Sequence, residues 1–301
     1  MAAGLFFVFE KNGFRSAVPE KRENGGLLSI VATFYPLADF AREIGGDLVA
    51  VTIIVPAGVE PHEYEPTSRD ILSAYQADIF LLNGAGVDAW AEKINPELEE
   101  RGVAIVQMSD SMSLLLGTAD EEGNMRRFDP HFWLDPIAAQ KEASAIRDAL
   151  IARDPVHKEE YVRNAGVFEQ KLAALDREYA AGLASCRLDT IVASHAAFAY
   201  LAKRYGFEML STSGISPEEE PSPKHLAELA TLVRERGIRY VFFETLVSPK
   251  IADTLARETG AQTLVFNPLE GLTEEERNSR ENYLSVMREN LKNLRVALEC
   301  R

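Results

Sequence analysis

The feature that most constrains this chain is an alternation, run through twice, of short β-branched stretches with amphipathic ones. Residues 28–33, 49–55, 78–82 and 103–106 read as strands, with helices expected near 36–44, 68–75 and 89–94. A second series opens at 190–193 and continues through 207–211, 240–243 and 263–266, with helices between them and a last one over 282–298. Strands that alternate with helical segments are joined by crossovers, and crossovers build parallel sheets covered by helices. The expected fold class is therefore α/β, with two domains that could each bury a core of their own.

Between the two series, Tyr161, Ala165, Phe168, Leu172, Leu175, Tyr179 and Leu183 recur at spacings of three and four. That is one apolar stripe of a helix over 155–185. At ~1.5 Å per residue it would extend about 45 Å, enough to run down both domains. Gly166 lies inside it, but a single helical glycine costs only ~1 kcal/mol, so two shorter helices broken there is the weaker alternative. The expected division is 27–153, a linking helix 154–186, and 187–301.

Composition removes several classes of function. The 301 residues hold 32 Lys and Arg against 47 Asp and Glu, a formal charge of −15, with no basic stripe to neutralise a phosphate backbone, so nucleic acid is not expected as a partner. No stretch reads as a transmembrane span. The apolar run 5–9 is shorter than the core of a secretory signal, so neither a complete signal peptide nor a lipid-anchoring cysteine is expected within this sequence. Cys186 and Cys300 form no CxxC pair; they either bridge to each other or stand as separate thiols. Residues 115–128, carrying Asp120, Glu121 and Glu122, read as a mobile acidic surface loop.

Three of the five histidines have similar surroundings: His62 in Pro-His-Glu-Tyr-Glu-Pro, His131 in Asp-Pro-His-Phe-Trp-Leu-Asp-Pro and His195 in Val-Ala-Ser-His. Each adjoins an expected strand end, and in open α/β sheets ligands collect beyond the carboxyl ends of strands. A lone histidine is more often an ordinary hydrogen-bonded residue than a ligand, but three that converge suit a transition metal. Three imidazoles and one carboxylate complete a tetrahedral shell for Zn²⁺. The fourth group stays open here: the loop after the last expected strand places Asn267 and Glu270 on the same side of the second sheet as His195. His157 and His225 keep an ordinary surface role. The Gly84-Ala-Gly-Val-Asp-Ala89 run matches a dinucleotide fingerprint but reads better as a tight strand-to-helix turn. Neither HExxH, nor a P-loop, nor a nucleophile elbow is present, and Ser194 is poorly placed to share a proton with His195.

Taken in order, Val-Ala-Thr-Phe-Tyr-Pro-Leu at 31–37, Gly-Val-Glu-Pro-His-Glu-Tyr-Glu-Pro at 58–66, Asn-Gly-Ala-Gly at 83–86, the His131 and His195 motifs, Gly-Ile-Ser-Pro-Glu-Glu-Glu-Pro-Ser at 214–222 and Asn-Pro-Leu-Glu-Gly-Leu at 267–272 resemble the metal-specific solute-binding proteins of ABC transporters, the zinc and manganese family called ZnuA/TroA-like. The resemblance implies two Rossmann-like lobes joined by a rigid backbone helix, with one ion held between them by His62, His131, His195 and Glu270. Three nitrogens favour Zn²⁺, with Mn²⁺ second, because manganese members replace a histidine with a carboxylate. It further implies a monomeric, non-enzymatic, extracytoplasmic carrier with a divalent metal ion and a membrane permease as its partners. The rival is a metal-dependent hydrolase with three histidine ligands and an open fourth position.

Overall fold

The computed structural model describes residues 26–117 and 128–301. The run at 5–9 and the acidic residues Asp120, Glu121 and Glu122 lie outside them.

The first series folds as β1 (Leu28–Ala32), α1 (Tyr35–Gly45), β2 (Val49–Ile53), α2 (Ser68–Tyr75), β3 (Ile79–Leu82), α3 (Ala89–Glu100), β4 (Ala104–Gln107) and α4 (Pro136–Arg153). Then comes α5 (Lys158–Gly182). The second series is β5 (Thr190–Ala193), α6 (Ala199–Tyr205), β6 (Glu208–Ser211), α7 (Pro223–Glu235), β7 (Tyr240–Phe243), α8 (Lys250–Thr259), β8 (Gln262–Val265), α9 (Glu274–Asn278) and α10 (Tyr283–Ala297). Both sheets are parallel and share one topology, β2-β1-β3-β4 and β6-β5-β7-β8. The fold is α/β with two lobes, as the alternation predicts.

Local chemistry accounts for the element boundaries. Thr67 and Asp70 form a reciprocal capping box at the start of α2, and Asn282 with Ser285 does the same for α10. Asp135 and Ser222 cap α4 and α7, each with a proline at the first helical position, where a missing N–H costs nothing. Two features depart from the sequence reading. Helix α3 continues past Pro96 to Glu100 because Leu98 is fully buried beyond it. Helix α4, absent from the expected list, has no clean apolar stripe, since Glu142 is buried among Ala139, Ala143 and Ile146.

The connector is continuous through Gly166 and, at 25 residues, shorter than expected, about 37 Å long. A short 3-10 turn at Pro155–His157 precedes it. Its stripe of Tyr161, Ala165, Phe168, Leu172, Leu175 and Tyr179 is buried throughout, each large member contributing ~1.5–3 kcal/mol. Against it pack α1 and α4 from the first lobe and α10 from the second.

The expectation of a separate core per lobe needs correcting. One hydrophobic cluster runs from Ile30 and Phe40 through Trp133, Phe168 and Tyr179 to Phe266 and Leu294, and smaller clusters lie apart from it, one with residues of the first sheet and one with residues of the second. Buried polar groups cross the joint as well: Tyr283 donates to the Trp133 carbonyl at 2.5 Å, Trp133 Nε1 to the Pro268 carbonyl at 2.8 Å, and Tyr179 to the Met287 carbonyl at 2.7 Å. Cys186 and Cys300 are joined in a disulfide, which resolves the alternative left open above. No helix among the described residues is long and apolar enough to cross a membrane.

Candidate metal centre

His62 lies in the loop after β2, His131 in the connection from β4 to α4, His195 two residues beyond β5 and Glu270 in the loop after β8. All four loops leave carboxyl ends of strands and meet between the lobes. Nε2 of His131 is 3.2 Å from Nε2 of both His62 and His195. Oε1 of Glu270 is 3.2 Å from each of the three Nε2 atoms. A tetrahedron with metal–ligand bonds of ~2.0–2.1 Å has edges of about 3.3–3.4 Å, so these separations are those of donors around one Zn²⁺-sized ion. All four ligand atoms lie within 4.8 Å of one another.

The proton inventory points the same way. Asp129 Oδ1 accepts both the backbone N–H of His131, at 2.9 Å, and its Nδ1–H, at 2.8 Å. Glu244 Oε1 serves His195 identically, at 3.2 and 2.8 Å. Each carboxylate thereby fixes the tautomer and leaves an Nε2 lone pair facing the cleft. Lone pairs and a carboxylate oxygen crowded at 3.2 Å repel one another unless a cation sits among them.

Burial and charge act in opposite directions on the histidines. Burial lowers the pKa of His131 and His195, but the carboxylates outweigh it: Asp129 and Glu270 raise His131, while Glu244 and Glu270 hold His195 well above the ordinary value. For His62 burial prevails and the shift is downward. Glu270 is held well below the usual carboxylate range against its burial, by the charge of His195 and by contacts to all three imidazoles. Burial, reinforced by the adjacent Glu270, pushes the Glu60 carboxyl up to about 10.

The loop that presents Glu270 is tightly determined. Leu269 adopts φ +60, a strained value for a branched residue, and is held there by its N–H bond to Asn267 Oδ1 at 2.8 Å and by Trp133 on the Pro268 carbonyl. Asn267, the alternative fourth ligand, is committed to this turn: its Nδ2 donates to Thr245 and Glu276, and its backbone exchanges bonds with Asn290. Asp129 and Glu244 were not singled out from the sequence. Glu244 directly follows β7, where the strand-end rule would have found it, and Asp129 sits two residues before His131 in a motif already noted.

The remaining candidates take ordinary roles. His157 pairs with Asp154 at 2.6 Å on the surface, and His225 contacts the Ser211 carbonyl at 2.9 Å. In the Gly84–Ala89 turn, Asp88 accepts bonds from Thr33, from the Asn83 N–H and from the Gly84 N–H. Its carboxylate occupies the donors a phosphate would need, so the glycines serve the turn. Ser194 donates to the Phe242 carbonyl and not to His195.

Two lobes of Rossmann-like topology, joined by one helix and bringing four potential metal donors together at an interlobe point, have the architecture of a two-lobed solute-binding protein. The chain belongs to the ZnuA family, described as the zinc-uptake complex component A, periplasmic, whose model matches residues 30–297. It is 40% identical to the zinc-binding lipoprotein AdcA of Streptococcus pneumoniae over 290 residues, covering 94% of this chain and 58% of the lipoprotein. The chain thus spans little more than half the length of that relative. It is 34% identical to the high-affinity zinc uptake system protein ZnuA of Bacillus subtilis, covering 98% of this chain and 95% of that one. Among solved structures, the Zn(II)-bound ZnuA-like domain of Streptococcus pneumoniae AdcA is similar with a TM-score of 0.80, covering 91% of this chain and all of that domain.

Proposed function

We propose that this chain captures Zn²⁺ between its lobes, with His62, His131, His195 and Glu270 as the ligands, and delivers it to the membrane permease of an ABC transporter on the outer side of the cell membrane. The observation that carries the reading is the convergence of three imidazole lone pairs and a carboxylate oxygen at 3.2 Å. The zinc-bound relative, the zinc-uptake family and the names of the relatives support zinc as the cargo and an extracytoplasmic location. Three nitrogens to one oxygen favour Zn²⁺ over the harder Mn²⁺.

Four protein donors leave no position for a substrate or an activated water, which separates a carrier from a catalyst. The hydrolase alternative requires Glu270 to be remote, whereas its Oε1 lies as near each imidazole nitrogen as a shared ion demands. Residues 27–153 and 187–301 act as the two metal-binding lobes and 154–186 as the rigid backbone helix that links them. The test is a competition titration of the purified chain with Zn²⁺, repeated for His62→Ala, His131→Ala, His195→Ala and Glu270→Ala. Each variant is expected to lose most of the affinity; wild-type titrations from two or more of them would defeat the assignment.

A further inference from the structure

Helix α6 belongs to the second lobe, yet it holds the segment of the first lobe that carries His131. Tyr200 is buried at the joint, and its ring lies edge-on to Phe132, the residue after His131, at 6.2 Å between centroids. One turn further along α6, Arg204 pairs at 3.3 Å with the carboxylate of Asp135, which caps α4. Residues four apart share a helix face, so one face of α6 grips 129–135 at both ends. The same helix starts at Ala199, just past the loop of His195.

The Tyr200 contact interrupts a backbone pairing. Leu115 and Asp129 face each other beside the antiparallel bridge between Leu116 and Phe128. Opposite residues of an antiparallel pair either exchange both N–H···O bonds or make neither. Here the Asp129 N–H reaches the Leu115 carbonyl at 2.9 Å, but the return bond is not direct. The Leu115 N–H donates to Tyr200 Oη at 2.8 Å, and that hydroxyl donates to the Asp129 carbonyl at 2.8 Å. The second lobe thus inserts one O–H group into a backbone ladder of the first. Asp129 is the residue whose carboxylate fixes the ring of His131. Without the hydroxyl, the Leu115 N–H and the Asp129 C=O are left unmet and can pair only if Asp129 shifts.

We propose that Tyr200 is a positioning residue for metal capture: its hydroxyl spaces Asp129 from Leu115 and so sets the angle at which Asp129 presents His131 to the cation. Both bonds of the hydroxyl go to main-chain groups, so it acts on the centre through Asp129. The effect passes from one lobe to the other. His131 takes its place only when α6, the helix that follows His195, is seated on the first lobe, and the two imidazoles are thereby set relative to each other before the cation arrives. The inference rests on the ligand set proposed above.

The test is Tyr200→Phe, which keeps the ring and removes only the oxygen, with Zn²⁺ affinity read by competition titration. Affinity should fall about tenfold or more. On an Asp129→Ala background the same change should cost nothing further, because the hydroxyl acts through that residue. Equal losses in both backgrounds would mean a general loosening of the joint and overturn the proposal, as would wild-type affinity in the single variant. Tyr205→Phe removes a hydroxyl of the same helix that bonds to Asp176, and it should bind Zn²⁺ as wild type does; a loss as large as that of Tyr200→Phe would also overturn the proposal. A His131→Ala variant with wild-type affinity would bring down the ligand set, and the proposal with it. Hydrogen exchange of the metal-free chain, followed by NMR, gives a readout independent of zinc. The Leu115 amide should be protected in wild type and lose that protection in Tyr200→Phe. Should Tyr200→Phe fail to fold by circular dichroism, the wild-type measurement decides, and an unprotected Leu115 amide would overturn the proposal.

Discussion

Asp129 and Glu244 each use one oxygen twice, on the backbone N–H and on the Nδ1–H of the histidine they orient. The pairing locks the ring against its own main chain, so removing the carboxylate frees both the tautomer and the ring angle. Asp129→Ala and Glu244→Ala are each expected to weaken Zn²⁺ binding about 10–100-fold without unfolding the chain, as read by competition titration. Unchanged affinity in both would mean the rings are held by packing alone. Proton competition belongs to the same scale. His131 and His195 have raised values in the metal-free chain, so Zn²⁺ must displace protons from them. Affinity should fall as pH falls, starting above the ordinary histidine value of ~6.5. For the metal-free chain the sign is opposite. Stability from these two charged histidines is present below about pH 6.5 and lost as pH rises through their raised folded values. The thermal shift produced by Zn²⁺ should therefore shrink on acidification from about pH 8 to about pH 6. A constant shift over that window would contradict histidine ligation.

Helix α5 carries an element-level conflict between propensity and structure. Gly166 sits mid-helix, and a Cβ there would meet nothing within 4 Å. Gly166→Ala should remove backbone freedom from the unfolded chain and raise Tm by about 1–3 °C. A lower Tm in calorimetry would show that the helix needs a soft point there. Most elements were legible in the sequence because their signals are local: the Thr67–Asp70 capping box, Pro223 after Ser222, and the buried run Ile79–Leu82. Helix α4 was not, because its signal is not local. Glu142 faces inward, where the joint between lobes buries it, and an acid inside an apolar face breaks the period that marks a helix.

At the scale of the whole molecule the lobes are less independent than their repeated topology suggests. A continuous core and the buried hydrogen bonds of Trp133, Tyr179 and Tyr283 tie them together, so opening should be a small tilt about α5. The Cys186–Cys300 bridge closes the second lobe just past the end of α5, across 114 residues. Replacing both cysteines with serine should lower stability by about 2–5 kcal/mol, read as a lower urea midpoint, while Zn²⁺ affinity changes little because the bridge lies away from the ligands. An unchanged midpoint would mean that the unfolded chain is not constrained by it.

The order of strands and helices, the stripe of the connector and the candidacy of His62, His131 and His195 followed from the sequence, since periodicity, capping and strand-end position are written in neighbouring residues, while the choice of Glu270 over Asn267 came from the family resemblance. Neighbours in sequence cannot say which distant groups share an oxygen. That Glu244 orients His195 and that Asn267 serves the turn depend on how strands and loops of the second lobe pack, and that Glu270 meets His62 and His131 depends on the packing of one lobe on the other.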